Sequence, residues 1–427
     1  MFRAALAGHG IGRRGGGEPA ELVVGEYEVG GRDLLLQVAD PLGAMPSRHP
    51  RSCSHGTSHT NPAAVRVMRR LIAGFVCEVA ARILAARSIP AIVIAVLPAE
   101  ITKLLQYRDV FTVVDAAQLG ISATRVQRLA KSGVLTCLGR GVYTSKANLD
   151  EADVWEKHAI KARGFAAACS TSVFVSSASA VAVRRLRHLG DPPELPEVIA
   201  PRPTRSGSTK TRYGLIRRAD LPIAHQKDYG GCPVVSKTWT AVDYARSATF
   251  AEALVVADAV LEDGATKVGM QRARAAMAHW PGIEEAAPVI EHADGRSESV
   301  LETLGRLACI EGDLPVPVSN AWVGRRRPEF RVDHLWRWHW VVAEADGALK
   351  YRDQDDPAAV VAEEKERQWI LERKLGLTVI RYGWNLAYGD RTQLAERFRT
   401  VLVDNPPRSR PAPWWPFYDL VGDPIVE

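Results

Sequence analysis

Acidic side chains interrupt two strand-like segments in the last quarter of the chain, and this pattern constrains the fold more than any other feature. Asp333 lies in one run of β-forming residues, and Glu344 and Asp346 lie in the next. Because side chains alternate along a strand, Glu344 and Asp346 project from the same face. A turn at Arg337 and Trp338 brings Asp333 close to Glu344. Carboxylates on strands rich in Val, Trp and Leu are disfavoured unless they serve a purpose, so we predict that the three converge.

The elements around these acids are predicted to follow the order α-β-β-β-α-β. Hydrophobic periodicity predicts a helix over 298–310, strands over 316–323, 329–335 and 340–346, a long helix over about 358–375 and a last strand over 378–382. Glu302 lies on the first helix, and Lys350 follows the strand that carries Glu344. For both residues a simpler interpretation stays open, namely an exposed helix glutamate and a solvated turn lysine.

Clustered carboxylates repel one another and raise each other's pKa unless a cation neutralises them. A hard, oxygen-binding ion meets this requirement, so the sequence predicts a Mg²⁺ site formed by Asp333, Glu344 and Asp346. Such an ion activates water and offsets the charge that builds on a phosphate, as phosphodiester hydrolysis requires. Lys350 is predicted to assist as a nearby cation.

The same motifs resemble the PD-(D/E)xK nuclease superfamily over about 298–401, particularly the branch similar to very-short-patch-repair endonucleases. Asp333 is similar to the metal-binding Asp of that branch, the segment 342–347 to its Glu-x-Asp-Gly strand end, and Glu302 to the acid of its Ser-x-x-Glu. Asp346 stands where the superfamily usually has Lys, and Lys350 where repair-type members often have His. The resemblance therefore implies a Mg²⁺-dependent endonuclease whose catalytic set includes Glu302 and Lys350, but leaves the general base open.

A second informative segment spans 106–148. It is predicted to form two short helices and a strand hairpin, because Gly120 breaks the first helix, Ser122 caps the second and Gly133 ends it. The strand-like runs VLTCL and GVYTS then flank a tight glycine-containing turn.

The second of these helices carries polar and basic residues on the face opposite its apolar stripe, and Arg140 lies at the hairpin tip. The outer-face residues are Thr124, Arg125, Arg128 and Lys131. This order is typical of a winged helix-turn-helix, in which the second helix enters the major groove and the wing touches phosphate. An ordinary helical module with a solvated basic face is the alternative.

This segment also resembles the N-terminal winged helix of AbiEi-type antitoxins, whose recurring phrase runs from Phe-Thr through a basic helix to Gly-Val-Tyr. Residues 111–112 and 141–143 supply the two ends, and the resemblance continues more weakly to about 290. It implies DNA as a partner, with a cognate toxin protein as a second. Further along, the loop around 203–212 carries cations that either hold a phosphate backbone or are simply solvated: Arg202, Arg205, Lys210 and Arg212.

Composition completes the predicted organisation. A net charge of +6 permits an acidic partner, and six cysteines without a CxxC pair favour a reducing cytoplasm. The apolar run 89–99 is too short to span a membrane, so no membrane partner is expected.

The predicted layout is a poorly ordered tail over 1–65, a helical extension over 66–105, a winged helix over 106–148, a mixed α/β region over 149–292, a nuclease-like domain over 293–404 and a Pro/Trp-rich tail over 405–427 whose aromatics cover the domain.

The sequence thus predicts an α+β multidomain protein with an N-terminal winged helix-turn-helix and a C-terminal restriction-endonuclease-like domain. It would bind DNA and hydrolyse phosphodiesters in a defence, repair or toxin–antitoxin setting. The alternative is a non-enzymatic AbiEi-like antitoxin or transcriptional regulator whose nuclease fold is degenerate.

Overall fold

The computed structural model describes residues 23–28, 33–38, 97–202, 207–346 and 364–417. The chain divides into two compact units, Met1–Pro98 and Ala99–Glu427. In the first unit, the strands Val23–Glu28 (β1) and Asp33–Val38 (β2) form an antiparallel pair. This hairpin lies inside the stretch expected to be poorly ordered. The first 65 residues are rich in Gly and Pro on average, so their composition does not predict these two short runs. Both runs contain Val, Leu or Tyr, which favour strands. Most of the helical extension expected over 66–105 lies outside the described residues.

The second unit begins with a small module of helices and strands, here called the basic module (residues 99–145). Its elements are Ala99–Tyr107 (α1), Phe111–Thr112 (β3), Val113–Gln118 (α2), Ala123–Lys131 (α3), Leu135–Gly139 (β4) and Val142–Ser145 (β5). The three strands form an antiparallel sheet in the order β3-β5-β4. Thr112 starts α2 with a capping box to Asp115, which satisfies backbone donors at the helix start.

A mixed α/β region follows. Its helices are Lys146–Glu151 (α4), Val154–Ala168 (α5), Ser177–Val183 (α6), Lys237–Ala245 (α7), Phe250–Glu262 (α8), Lys267–Ala276 (α9) and Ala286–His292 (α10). Its strands are Phe174–Val175 (β6), Glu197–Pro201 (β7), Gly207–Lys210 (β8), Leu215–Ala219 (β9), Gln226–Tyr229 (β10) and Cys232–Val235 (β11). These strands form one sheet in the order β10-β11-β6-β7-β9-β8, which leaves β8 at an edge.

The last part of the chain is a five-stranded sheet with helices on both faces. Its elements are Val300–Glu311 (α11), Val318–Val323 (β12), Phe330–Trp336 (β13), Val341–Asp346 (β14), a helix over 364–374 that is π-helical from Ile370 to Lys374 (α12), Thr378–Gly383 (β15), Arg391–Asp404 (α13) and Trp414–Trp415 (β16). The strand order is β15-β14-β13-β12-β16, with β14 and β15 parallel and the other pairs antiparallel. From α11 to β15 the elements follow the order helix, three strands, helix, strand.

Two elements near the C-terminus extend this sheet domain. Helix α13 is absent from the predicted elements, although Leu394, Phe398 and Leu402 repeat at helical spacing and are buried. Trp414 and Trp415 are also buried, and β16 pairs with β12. These two tryptophans therefore lie against the sheet domain, whereas Phe417 is exposed.

One hydrophobic core joins the mixed region to the C-terminal sheet. Buried residues run continuously from α5 through α8 and α11 to α13, and they include Trp336, Val341 and Ala343 on one face of the sheet. A second cluster on the other face contains Leu335, Val342 and Leu371, the last from α12. The boundary predicted near residue 292 lies within the first of these cores. No helix in the described ranges is both long and apolar enough to cross a membrane.

A buried ion pair fixes α11 against α8. Arg306 Nη2 lies 2.5 Å from Asp258 Oδ2, and both side chains are inaccessible to solvent. Thr303 Oγ1 and the backbone N–H of Asp294 donate to the same carboxylate at 2.8 and 2.7 Å. Burial raises the pKa of Asp258, against the lowering effect of Arg306. Because charges in the interior depend on their partners, this pair makes the contact between α8 and α11 specific.

We expect Arg306→Met to lower the free energy of unfolding by about 3–5 kcal/mol, because it leaves the Asp258 carboxylate buried without its counter-charge. The matched control is Arg391→Met, which breaks the partly exposed pair with Glu311 and should cost at most about 1 kcal/mol. Urea denaturation measures both. Equal losses in the two variants would show that the buried pair contributes no more than a surface one.

Candidate functional site

Helix α3 presents the polar and basic face that the sequence predicts. Ser122 Oγ accepts the backbone N–H of Arg125 at 3.3 Å and so starts the helix. Val126 and Leu129 are buried beneath it. The outer-face residues are all exposed: Thr124, Arg125, Arg128 and Lys131. Their accessibility agrees with the prediction, while their contact with DNA stays a prediction.

The tip of the β4–β5 hairpin is held in place beside α2. Gly141 adopts a left-handed backbone with φ of 74°, a conformation that favours glycine. Its carbonyl accepts the backbone N–H of Val113 at 2.9 Å. Arg140, the residue before it, is exposed at the tip. The hairpin therefore carries one accessible cation in a position fixed relative to the helices.

The basic module is packed on the mixed region through α5. A Cβ atom at Gly164 would lie 2.6 Å from the Leu138 side chain, so only glycine permits this approach of α5 to β4. Arg163 on the same helix forms an ion pair with Asp109. The module is thus attached by both apolar and charged contacts.

The C-terminal sheet places Asp333 beside Glu344. His334 on β13 is paired with Ala343 on β14, so the next position along the antiparallel pair brings Asp333 opposite Glu344. Asp333 Oδ2 accepts the backbone N–H of Ala345 at 2.7 Å. The predicted proximity of the two strands at this point is therefore present in the structure.

Glu302 on α11 faces the same neighbourhood. Its side chain is buried, and Oε2 accepts the Glu298 backbone N–H at 2.8 Å and Asn320 Nδ2 at 2.5 Å. Burial raises the pKa of Glu302, and the negative charge of Asp333 contributes to the same rise. Asn320 has a left-handed φ of 48° within β12. Sequence reasoning does not identify this residue, because nothing in a strand-like run marks one position as left-handed.

Glu344 is held by arginine from a different element. Arg367 on α12 donates from Nη2 to Glu344 Oε1 at 3.0 Å and also to the Arg331 carbonyl. On the other side, Arg381 on β15 is paired in register with Glu344 and lies 3.3 Å from Glu364. Glu344 therefore has a cationic side chain as its partner.

The two remaining predicted site residues lie beyond this group. Asp346 ends β14, is half-buried and is paired with Gly383 of β15. Lys350 lies outside the described residues. In the structure Asp333, Glu344 and Glu302 are neighbours, and Asp346 is at the end of the strand. The role of Lys350 stays a prediction.

Tyr382 marks the centre of the acidic neighbourhood. Burial raises the pKa of Tyr382 well above its usual value, and the charges of Asp333, Glu302 and Glu344 add to the rise. Its hydroxyl lies 2.7 Å from His334 Nε2. Burial lowers the pKa of His334 to about 3, which keeps the ring neutral near pH 7. Neither residue follows from motif spacing, although both lie on strands predicted from the sequence.

Carboxylate oxygens are suitable Mg²⁺ ligands, so the acids fit the predicted ion chemically. Within the described residues, however, no group of three or more His, Cys, Asp or Glu side chains is arranged to hold a metal ion. Three of the acids accept hydrogen bonds from the protein: Asp333 from the Ala345 N–H, Glu302 from Asn320 and Glu344 from Arg367. The Mg²⁺ site stays a prediction.

Comparisons with known proteins match the basic module. Residues 100–146 match a family model described as a transcriptional regulator, AbiEi antitoxin. The resemblance of this segment to AbiEi-type antitoxins is confirmed. The comparisons lend no support to the nuclease resemblance over 298–401.

Two curated relatives and one solved structure are also similar to the chain. Uncharacterized proteins MT2308 and Rv2248, from the CDC 1551 and H37Rv strains of Mycobacterium tuberculosis, are each 29% identical over 144 residues, or 33% of this chain and 51% of theirs. The chain thus spans about half the length of these relatives. The crystal structure of the RV2827C protein from Mycobacterium tuberculosis gives a TM-score of 0.27 at 12% identity, covering 46% of this chain and 78% of that one.

The raised pKa of Glu302 predicts a pH-dependent stability. A carboxyl whose pKa is higher in the folded state stabilises the fold when protonated, and this contribution is lost as pH rises through the raised value. Glu302→Gln stays neutral and keeps an oxygen for Asn320. Its free energy of unfolding should therefore increase relative to wild type between about pH 4.5 and pH 7, measured by urea denaturation. The exposed Glu329→Gln is the control. A difference between Glu302→Gln and wild type that is constant with pH would contradict the assignment.

Proposed function

We propose that this chain is a DNA-binding regulator of the AbiEi antitoxin type, which docks on DNA through α3 and the β4–β5 hairpin. The observation that carries the proposal is the family match over residues 100–146, which coincides with the module whose basic helix face is exposed. The order of its elements supports a winged helix-turn-helix, in which α3 takes the position of the recognition helix.

The charge of α3 favours a polyanionic partner. This nine-residue helix contains three cations, Arg125, Arg128 and Lys131, and no acidic residue. Within the ranges that the structure describes, none of the three forms an ion pair. Cations without an internal counter-charge gain free energy by displacing counterions from phosphate, which supports binding to duplex DNA.

A regulatory role requires binding rather than turnover. In this proposal the chain recognises DNA upstream of its own gene, and a cognate toxin protein is its second partner. The basic module packs on α5 of the mixed region. These contacts support a docking surface whose position is fixed relative to the rest of the second unit.

We expect Arg125→Ala combined with Arg128→Ala to weaken binding to a duplex from the region upstream of the gene by about 10-fold or more, because each arginine that reaches a base contributes about 1–3 kcal/mol. The matched control combines Arg272→Ala and Arg397→Ala, which removes the same charge from exposed positions on α9 and α13. Fluorescence anisotropy at fixed salt measures the dissociation constants. Equal affinities of the α3 variant and the control would refute docking through α3.

A second candidate function is favoured by the position of Asp333 beside Glu344 and its electrostatic coupling to Glu302. We propose that the C-terminal sheet domain is restriction-endonuclease-like and hydrolyses phosphodiesters. Asp333, Glu344 and Asp346 would hold Mg²⁺, which supplies an activated water and offsets charge on the phosphate. In this proposal Arg367 positions Glu344, Glu302 supports the neighbouring acid, and Lys350 supplies a further cation.

Cleavage of supercoiled plasmid tests this second function. With Mg²⁺ and not with EDTA, wild type should nick the plasmid, while Asp333→Asn and Glu344→Gln should lose nicking because each removes one ligand charge. Asp404→Asn, at the exposed end of α13, is the control and should keep wild-type activity. Identical nicking by wild type and both site variants would refute the proposal that these acids catalyse hydrolysis. If wild type binds upstream DNA but does not nick the plasmid, only the regulator function is supported.

A further inference from the structure

The hairpin formed by β8 and β9 carries a second set of exposed cations. Strand β8 is a sheet edge, and all four of its residues are exposed. The exposed cations on or beside this hairpin are Arg202, Lys210 and Arg212, and Arg218 on β9 is half-buried. In the part of the chain that the structure describes, none of them forms an ion pair with an acidic residue. Arg205, grouped with them in the sequence, lies outside the described residues.

Neighbouring arginines on β9 have opposite environments. Arg217 points inward, donates to both carboxylate oxygens of Asp243 at 2.9 and 2.6 Å, and lies over the Trp280 ring. Arg218 lies on the other face of the strand and donates to Thr209 at 2.8 Å. Because side chains alternate along a strand, Arg217 is neutralised by an acid inside the fold, whereas Arg218 has only the neutral Thr209 as its partner.

This hairpin lies next to the wing of the basic module. Tyr213, in the turn between β8 and β9, has its hydroxyl 3.7 Å from Cys137 Sγ on β4, an edge strand of the module sheet. Arg212 directly precedes Tyr213, and its guanidinium lies 4.4 Å from the centre of that ring. Arg140, in the turn at the end of β4, follows Cys137 by three residues, so the two Cα atoms are at most about 11 Å apart. Duplex DNA carries one phosphate per about 1.7 Å of its axis, so a duplex that contacts Arg140 also presents phosphates within this range.

We propose that the β8–β9 hairpin binds the phosphate backbone of the same DNA duplex that α3 engages, and so extends the docking surface into the mixed region. This inference rests on the proposed DNA-binding function. Charge complementarity selects the occupant, because the cations on the outer side of the hairpin, unlike Arg217, lack acidic partners. A second copy of the chain fits less well, since its own β8 edge would bring like charges together, and cations on an edge strand oppose such pairing.

The salt dependence of DNA binding measures the number of phosphate contacts, because the slope of log affinity against log salt changes by about 0.9 for each contact. Lys210→Ala combined with Arg212→Ala should therefore reduce the magnitude of the slope by about 1.8. The exchange Lys210→Arg with Arg212→Lys keeps both charges and should keep the wild-type slope. The Arg272→Ala and Arg397→Ala control should also keep it. Thermal denaturation of each variant establishes that it is folded.

The outcomes separate this inference from the function on which it rests. A wild-type slope in the hairpin alanine variant, together with weakened binding in the α3 variant, overturns the hairpin contact and leaves the regulator intact. Absence of DNA binding by wild type overturns both. A hairpin variant that changes the sedimentation mass of the protein but not the slope identifies an interface between copies and also overturns the proposal.

Discussion

The buried pair of Asp258 and Arg306 is the contact on which the arrangement of the second unit depends. It joins α8 of the mixed region to α11, whose first turn carries Glu302. Removing two charges from water is unfavourable, and here Thr303 and the backbone at Asp294 supply the hydrogen bonds that offset it. Because α11 also packs against one face of the C-terminal sheet, displacement of α8 would disturb the acidic neighbourhood. Residues 99–427 are accordingly one compact unit.

Charge is distributed differently at the two ends of this unit, and the difference favours DNA docking at the basic module. Around the C-terminal sheet, three acids have arginine partners within the fold: Glu298 with Arg331, Glu344 with Arg367 and Glu364 with Arg381. On α3 and the β8–β9 hairpin, the exposed cations of the described chain have no acidic partner. The first arrangement neutralises itself, whereas the second attracts an external anion.

Local signals in the sequence predict much of the fold. Ser122 and Gly133 give the bounds of α3 closely, because a cap and a left-handed glycine act on the nearest backbone groups. Alternation likewise places the strands around Asp333 and Glu344 within about two residues. The partners of these acids were not predictable in this way. Arg367 arrives from a separate helix, and Asn320 reaches Glu302 from a left-handed position in β12, so both contacts are set by tertiary packing. The β1–β2 hairpin was not predicted, because its two six-residue strands lie in a long segment whose average composition is rich in Gly and Pro.

Hydrogen–deuterium exchange of the full chain with and without an upstream DNA duplex tests the central claim most directly, because backbone amides report which elements the duplex covers. The account predicts slower exchange over 122–145, in α3 and the β4–β5 hairpin, and over 207–218 in the hairpin beside it. Slower exchange confined to 298–346, around the acidic neighbourhood, or unchanged exchange across both basic segments with DNA bound, would contradict it.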